Sequence, residues 1–247
     1  LPQPLQYWDV PTQWAKDLSS DALQQELIGR LREAVKIRLV AEVPLGAFLS
    51  GGVDSSAVVA MMAGLQSDPV NTCSIGFDNP KYNETEFARQ VAARYHTAHH
   101  ESIVSEHDFD LLDKLADLYD EPYADSSAIP TYRVCQMARQ QVTVALSGDG
   151  ADEMMAGYNK HLAEYRLRSL GVGSNLLAAI KPFTGLMPKS RQGKVTNLIR
   201  QVDRFAEGAA LGDKERYWRW CGYAGEKETL SMLTPAWQSK YQLQKYT

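Results

Sequence analysis

The sequence predicts an α/β fold: a doubly wound, mostly parallel sheet with helices on both faces, followed by a helical extension. Three observations predict it. Short apolar runs rich in Val, Leu and Ile alternate with helix-length segments from about residue 19 to 165, the pattern of parallel strands joined by right-handed crossovers. Two of those runs end in Gly- and Ser-rich loops, as suits the carboxyl edge of such a sheet. Beyond Tyr165 the strand signals stop, and residues 166–247 read as helices broken by Gly and Pro.

Residues 1–18 form a lead-in: the first 17 hold three prolines and two tryptophans without a regular period. A helix follows, with Leu23, Leu27, Leu31, Val35 and Leu39 at every fourth residue, Ser19 or Ser20 as cap and Asp21 in the first turn. The next units are a strand Val43–Leu49, a Ser-Gly-Gly turn and a helix Ser56–Leu65. A strand Val70–Phe77 leads to a helix Glu84–Tyr95, whose Phe87, Val91 and Tyr95 share a face. A strand Ala98–Ile103 leads to a helix Phe109–Tyr119. Finally a helix Thr131–Arg139 precedes Val142–Leu146, a continuous apolar run with the composition of a strand buried on both faces. The expected division is therefore lead-in 1–18, α/β domain 19–165 and helical extension 166–247.

Composition narrows the partners. With 247 residues, 44% apolar, one large domain plus an appendage is expected. The 26 basic and 30 acidic residues leave a net charge of −4, which offers no excess of cations to a nucleic acid backbone. No apolar run approaches the roughly 18 residues of a membrane span, and no basic leader opens the chain. Cys73, Cys135 and Cys221 are too scattered for a disulfide framework or a CxxC site. A cytoplasmic protein is expected.

Leu49-Ser50-Gly51-Gly52-Val53-Asp54-Ser55-Ser56 lies between a strand and a helix, where unpaired backbone N–H groups converge and anions bind. Gly51 and Gly52 let the backbone turn and approach a ligand, and Ser50, Ser55 and Ser56 add hydroxyl donors. Asp54 among phosphate donors implies a bridging Mg²⁺, since a helix terminus alone supplies only about 0.3–2 kcal/mol to an anion. The loop has neither the Walker A lysine nor GxGxxG spacing. The bland alternative is a capped turn. The second run delivers Ser147-Gly148-Asp149-Gly150-Ala151-Asp152-Glu153 and then Gly157-Tyr158. In a parallel sheet it opens at the same edge, so Asp152 and Asp54 could share one Mg²⁺.

Ser50–Ser56 resembles the SGGxDS pyrophosphate loop of the ATP pyrophosphatase superfamily, and Leu146–Tyr158 resembles the LSG[ED]G[AGS]DExFxGY stretch of glutamine-hydrolysing asparagine synthetases. Tyr7-Trp8-Asp9, Ser74-Ile75-Gly76-Phe77, Asn83-Glu84, His99-His100-Glu101, Asp120-Glu121-Pro122 and Ala124–Tyr132 are similar to further stretches of their synthetase domain. The resemblance covers about residues 7–160. It implies an adenine nucleotide alpha hydrolase-like fold, with ATP as substrate and Mg²⁺ as cofactor. A carboxylate, the side chain of aspartate first among them, would be adenylated with loss of pyrophosphate and then attacked by ammonia from a glutaminase domain or chain. It places Phe48, Ile75, Ser147 and Gly148 against adenosine, Ser50, Gly51, Gly52, Asp54, Ser55 and Ser56 on the pyrophosphate, and Asp54 and Asp152 on Mg²⁺. Asp149 would face the amidation chemistry; some relatives carry Glu there, so the acceptor carboxylate stays open.

The glutaminase cysteine that opens those enzymes has no counterpart in Leu1-Pro2, and the lysine segment that touches pyrophosphate is expected beyond residue 247, because Gln201–Arg204 falls too early. A homodimer is allowed. A β-lactam-synthetase-like enzyme, another amidotransferase, and a nucleotide-binding regulatory domain without turnover are the alternatives. His99 and His100, adjacent on a strand, point to opposite faces and are expected to be structural. Arg216, Tyr217, Trp218, Arg219, Trp220 and Tyr223 are expected to pack, and Met61, Met62, Met154 and Met155 to fill the core.

Overall fold

The computed structural model describes residues 5–10, 18–80, 82–105, 110–121, 123, 125–171, 184, 187–188, 190, 193–222 and 226–243. They form α1 (Ser20–Lys36), β1 (Leu45–Phe48), α2 (Val53–Ala63), β2 (Asn71–Phe77), α3 (Thr85–Tyr95), β3 (Ala98–Val104), α4 (Leu112–Leu118), α5 (Ala128–Ala138) and β4 (Val144–Leu146). After these come α6 (Ala151–Met154), α7 (Asn159–Leu170), α8 (Lys194–Ala209), α9 (Asp213–Cys221), α10 (Glu226–Met232) and α11 (Pro235–Leu243). Two compact units result, Leu1–Asp149 and Gly150–Thr247. The division expected after Tyr165 falls within α7, which lies whole in the second unit.

In the first unit four parallel strands run in the order β3-β2-β1-β4. Alternation along β1 sends Ala47 into one core with Leu49, Val58, Val59, Met62, Val70, Ala88 and Ala92, which α1, α2 and α3 complete. Phe48 faces the other way, toward Cys73, Ala138 and Val142 beside α5. Helices therefore cover both faces, as the pattern requires. Ser19 caps α1, its hydroxyl accepting from Ala22 N at 3.2 Å. Only the carboxyl end of that helix reaches the core, through Leu31 and Val35.

Three local expectations need correction. β4 is an edge strand with one neighbour among the described residues, so Val144 is 43% exposed instead of buried on both faces. α2 starts at Val53, three residues ahead of Ser56, because Gly52 takes the extended N-cap conformation and its carbonyl already accepts Ser56 N at 3.0 Å. On α3 Phe87 is exposed, and the small residues Ala88 and Ala92 make the packed line.

The second unit is helical in its described residues. Arg216 of α9 is buried and donates through Nε and Nη2 to both oxygens of Glu164 on α7, at 2.7 and 2.8 Å. Arg204 of α8 donates to the carbonyls of Trp220 and Gly222, while Trp220 Nε1 returns a bond to Arg204 O. Gly208 lets the Trp220 ring lie against α8, for a Cβ there would fall 2.5 Å from it.

Candidate functional site

The β1–α2 loop is fixed by glycine geometry and by α3. Gly51 has φ 84°, and a Cβ there would meet Ala88 N at 2.5 Å and Phe87 Cβ at 2.6 Å, so the loop can press on the first turn of α3 only without a side chain. Gly52 faces open space except for Ser50 Oγ, 3.3 Å from a built Cβ. Asp54, Ser55 and Ser56 occupy the first turn of α2, where helix geometry leaves the N–H groups of Val53, Asp54 and Ser55 without intrahelical partners.

The hydroxyls are organised inside the loop. Ser50 N donates to Ser55 Oγ at 3.2 Å, the two serine oxygens lie 2.9 Å apart, Ser55 Oγ donates to Gly52 O at 3.3 Å and Gly52 N donates to Ser50 Oγ at 3.2 Å. Ser56 Oγ is buried without a partner. No sequence signal beyond the Ser–Ser spacing announced this network, nor the backing of the loop by α3.

β1 and β4 pair in parallel, Leu45 with Val144 and Ala47 with Leu146, so Ser50 and Ser147 leave one sheet edge side by side. Gly148 is fitted against the first loop: a Cβ there would stand 2.7 Å from Ser55 N and 2.9 Å from the backbone carbon of Asp54. Ser147 Oγ donates to Asp149 Oδ2 at 2.9 Å and accepts Asp149 N at 3.3 Å, which steers an otherwise exposed carboxylate. Phe48 and Ile75 share the α5 face of the sheet, both half-buried.

Asp152 lies on α6, at the head of the second unit. Gly157 N donates to Asp152 O at 2.9 Å, and a Cβ on Gly157 would land on the Asp152 carboxylate. Ala156 between them adopts φ 56°. Tyr158 donates to Glu153 Oε1 at 2.7 Å, and that hydrogen bond holds the Glu153 carboxyl below its ordinary range.

The remaining candidates divide. His99 Nδ1 lies 2.9 Å from Thr72 Oγ1 and Nε2 lies 3.3 Å from Ser74 Oγ; burial lowers its pKa, in keeping with a structural imidazole. Met62 is fully buried, but Met154 and Met155 are 82% and 52% exposed: they end and follow the short helix α6, which presents no buried residue. Trp220 packs as expected, whereas Trp218 is 73% exposed. Cys73 is buried in β2, which raises its pKa, while Cys135 and Cys221 are exposed. Tyr223, Pro122 and Ala124 lie outside the described residues. No helix among the described residues is long and apolar enough to cross a membrane.

Sheet order and the paired glycine loops define the class: an α/β protein with a strand–glycine loop–helix unit at one sheet edge. Within that class the asparagine synthase family model matches residues 26–246, and the chain belongs to that family. A candidate glutamine-hydrolyzing asparagine synthetase 2 of Methanocaldococcus jannaschii is 45% identical over 163 residues, covering 65% of this chain and 31% of that protein. Glutamine-hydrolyzing asparagine synthetase 1 of Bacillus subtilis is 33% identical over 176 residues, covering 70% and 28%. The chain thus spans less than a third of the length of these relatives. Among solved structures, NMN synthetase of Francisella tularensis is 17% identical with a TM-score of 0.42, over 83% of this chain and 93% of that one.

Proposed function

We propose that the chain is the ATP-dependent synthetase portion of an asparagine-forming ligase. The side-chain carboxylate of aspartate attacks the α-phosphorus of ATP, pyrophosphate leaves, and ammonia displaces AMP from the aspartyl adenylate to give the amide. The observation that carries this reading is the parallel pairing of β1 with β4, with Gly148 seated against the backbone of Asp54 and Ser55. It supports a single ligand edge made by two loops far apart in sequence.

Each residue then has a task. Gly52 lets phosphate approach the backbone, and the N–H groups of the first α2 turn stabilise the negative charge on the leaving pyrophosphate. Phe48, Ile75, Ser147 and Gly148 receive the adenosine, and Asp149, steered by Ser147, faces the incoming nitrogen. The Asp54 carboxylate has no partner among the described residues, and these hold no cluster of three or more potential metal ligands. A Mg²⁺ ion that takes most of its ligands from phosphate and water suits such a sparse donor set. Asp54 would hold it, and when bound it neutralises phosphate charge; Asp152 is the second carboxylate that the motif resemblance offers as a metal ligand. Residues 1–18 act as lead-in, 19–165 as the nucleotide domain and 166–247 as its helical extension, in a cytoplasmic protein supplied with ammonia by a glutaminase domain or chain.

Screening carboxylates with the full-length protein, ammonia and Mg²⁺-ATP should show AMP and pyrophosphate release with aspartate above all others. Release with another carboxylate alone would move the substrate, and release with none would remove the ligase reading. Asp54→Asn and Asp152→Asn should each weaken Mg²⁺-ATP binding while sparing metal-free adenosine, and an equal loss for both ligands would count against a metal role.

A further inference from the structure

We propose that the amino-terminal half of α1 is the face through which two copies of this chain pair, their helices antiparallel about an axis at Leu27. The proposal is independent of the ligase reading and gives a surface to the homodimer that the sequence allows.

Leu23, Leu27, Leu31 and Val35 lie on one stripe of α1, because residues four apart stack along a helix. The carboxyl half of the stripe is used: Val35 is buried, and Leu31 packs against the same core. The other half runs past that core and leaves Leu23 43%, Leu27 45% and Ile28 47% exposed. Apolar side chains that continue a packed seam into open space mark a contact surface.

Charge decides what covers it. At about 3.6 residues per turn, Glu26 and Arg30 border the stripe on one side, and Asp21 and Arg32 border it on the other. On each border the acid precedes the base. Two antiparallel copies of α1 bring like borders together, so Glu26 meets Arg30 of the second copy and Asp21 meets its Arg32. With Leu27 on the axis, Leu23 meets Leu31 of the second copy, and each charged pair is out of step by about 1.5–3 Å along the helix. A parallel pair would instead set Arg30 beside Arg32. All four charged residues are exposed. Arg30 donates to Glu26 Oε1 at 2.7 Å and Arg32 to Gly64 O at 3.1 Å, which holds both guanidinium groups at the borders with donors left over. The same patch serves both copies, as a two-fold axis requires. Three leucine layers are small beside the roughly 1,600 Å² of a standard interface, so the dimer is weak and depends on concentration.

The test is sedimentation of the full-length protein over a range of concentrations. A monomer–dimer equilibrium is expected, and Leu27→Glu should weaken it at least about tenfold, because two carboxylates would meet on the axis. Glu26→Lys should also weaken pairing by setting a lysine against Arg30 of the second copy, and adding Arg30→Glu to the same chain should restore it. A monomer at every accessible concentration would overturn the proposal. So would a dimer unchanged by Leu27→Glu, and a lower melting temperature for that variant would then assign the face to another part of its own chain. Unchanged pairing in Glu26→Lys, or no rescue by the double change, would overturn the antiparallel order.

Discussion

The two units solve the problem of holding a fixed geometry by opposite means. The first builds its proposed ligand edge from absent side chains: Gly51 against α3, Gly148 against the start of α2, and two small hydroxyls bonded to backbone. The second holds its helices with large charged side chains, Arg216 on Glu164 and Asp213, and Arg204 on three carbonyls. Backbone packing leaves donors free for a ligand, whereas the ion pairs satisfy each other and leave little to offer. Local glycine geometry shapes the proposed binding edge, and a buried charge network shapes a support.

The largest expected effect therefore belongs to the support. Arg216→Ala would leave Glu164 with only the mostly exposed Arg168 as partner and should destabilise the second unit by about 3 kcal/mol, the low end for a broken buried pair. Urea denaturation measures it. Acid should sharpen the same point. The Arg216 hydrogen bonds hold the Glu164 carboxyl at about 2, against an ordinary 4.5. Its contribution is then fully present above pH 4.5 and is lost as the pH falls from there toward 2. The variant should lack most of that acid-sensitive step.

Gly148→Ala comes next in size. Its added carbon would meet backbone of Asp54 and Ser55 within 2.9 Å, and backbone yields poorly, so about 2 kcal/mol of overpacking is expected by thermal melting, together with loss of nucleotide binding. A stability change without a binding change would detach this glycine from the site. The smallest effect has the opposite sign. Ala156 holds φ 56°, a left-handed conformation that glycine adopts freely, so Ala156→Gly should raise stability by about 0.5–1 kcal/mol. A loss would mean that the Ala156 methyl group makes contacts worth more than the strain.

Much of the first unit was legible because its signals are local. Strand–loop–helix alternation predicted parallel β1 and β4, and the pairing of Leu45 with Val144 follows. Boundaries drifted where backbone conformation decided them, as when Gly52 opened α2 three residues early. The burial of β4 was misread because an apolar tripeptide has the same composition at an edge as at the centre, and strand order depends on the whole sheet. On α3 periodicity favoured Phe87, but the close approach of Gly51 selects the small Ala88. The Ser50–Ser55 hydrogen bonds were hidden for a similar reason: a list of hydroxyls does not say which of them face each other. In the second unit, Arg216 and Glu164 are 52 positions apart with no motif to join them, and Met154 and Met155 are apolar yet exposed on a short helix.

The most direct measurement separates a phosphate cradle from a capped turn at Gly52, whose Cβ position is open on all sides but that of Ser50 Oγ. Inorganic pyrophosphate with Mg²⁺ is titrated into the unaltered chain and into Gly52→Val, with melting temperatures recorded for both. The cradle predicts that the variant melts within a few degrees of the unaltered chain and has lost pyrophosphate binding, because a β-branched side chain blocks the approach of the ligand without emptying the core. Equal pyrophosphate affinity in the two proteins would contradict it and leave the loop a turn.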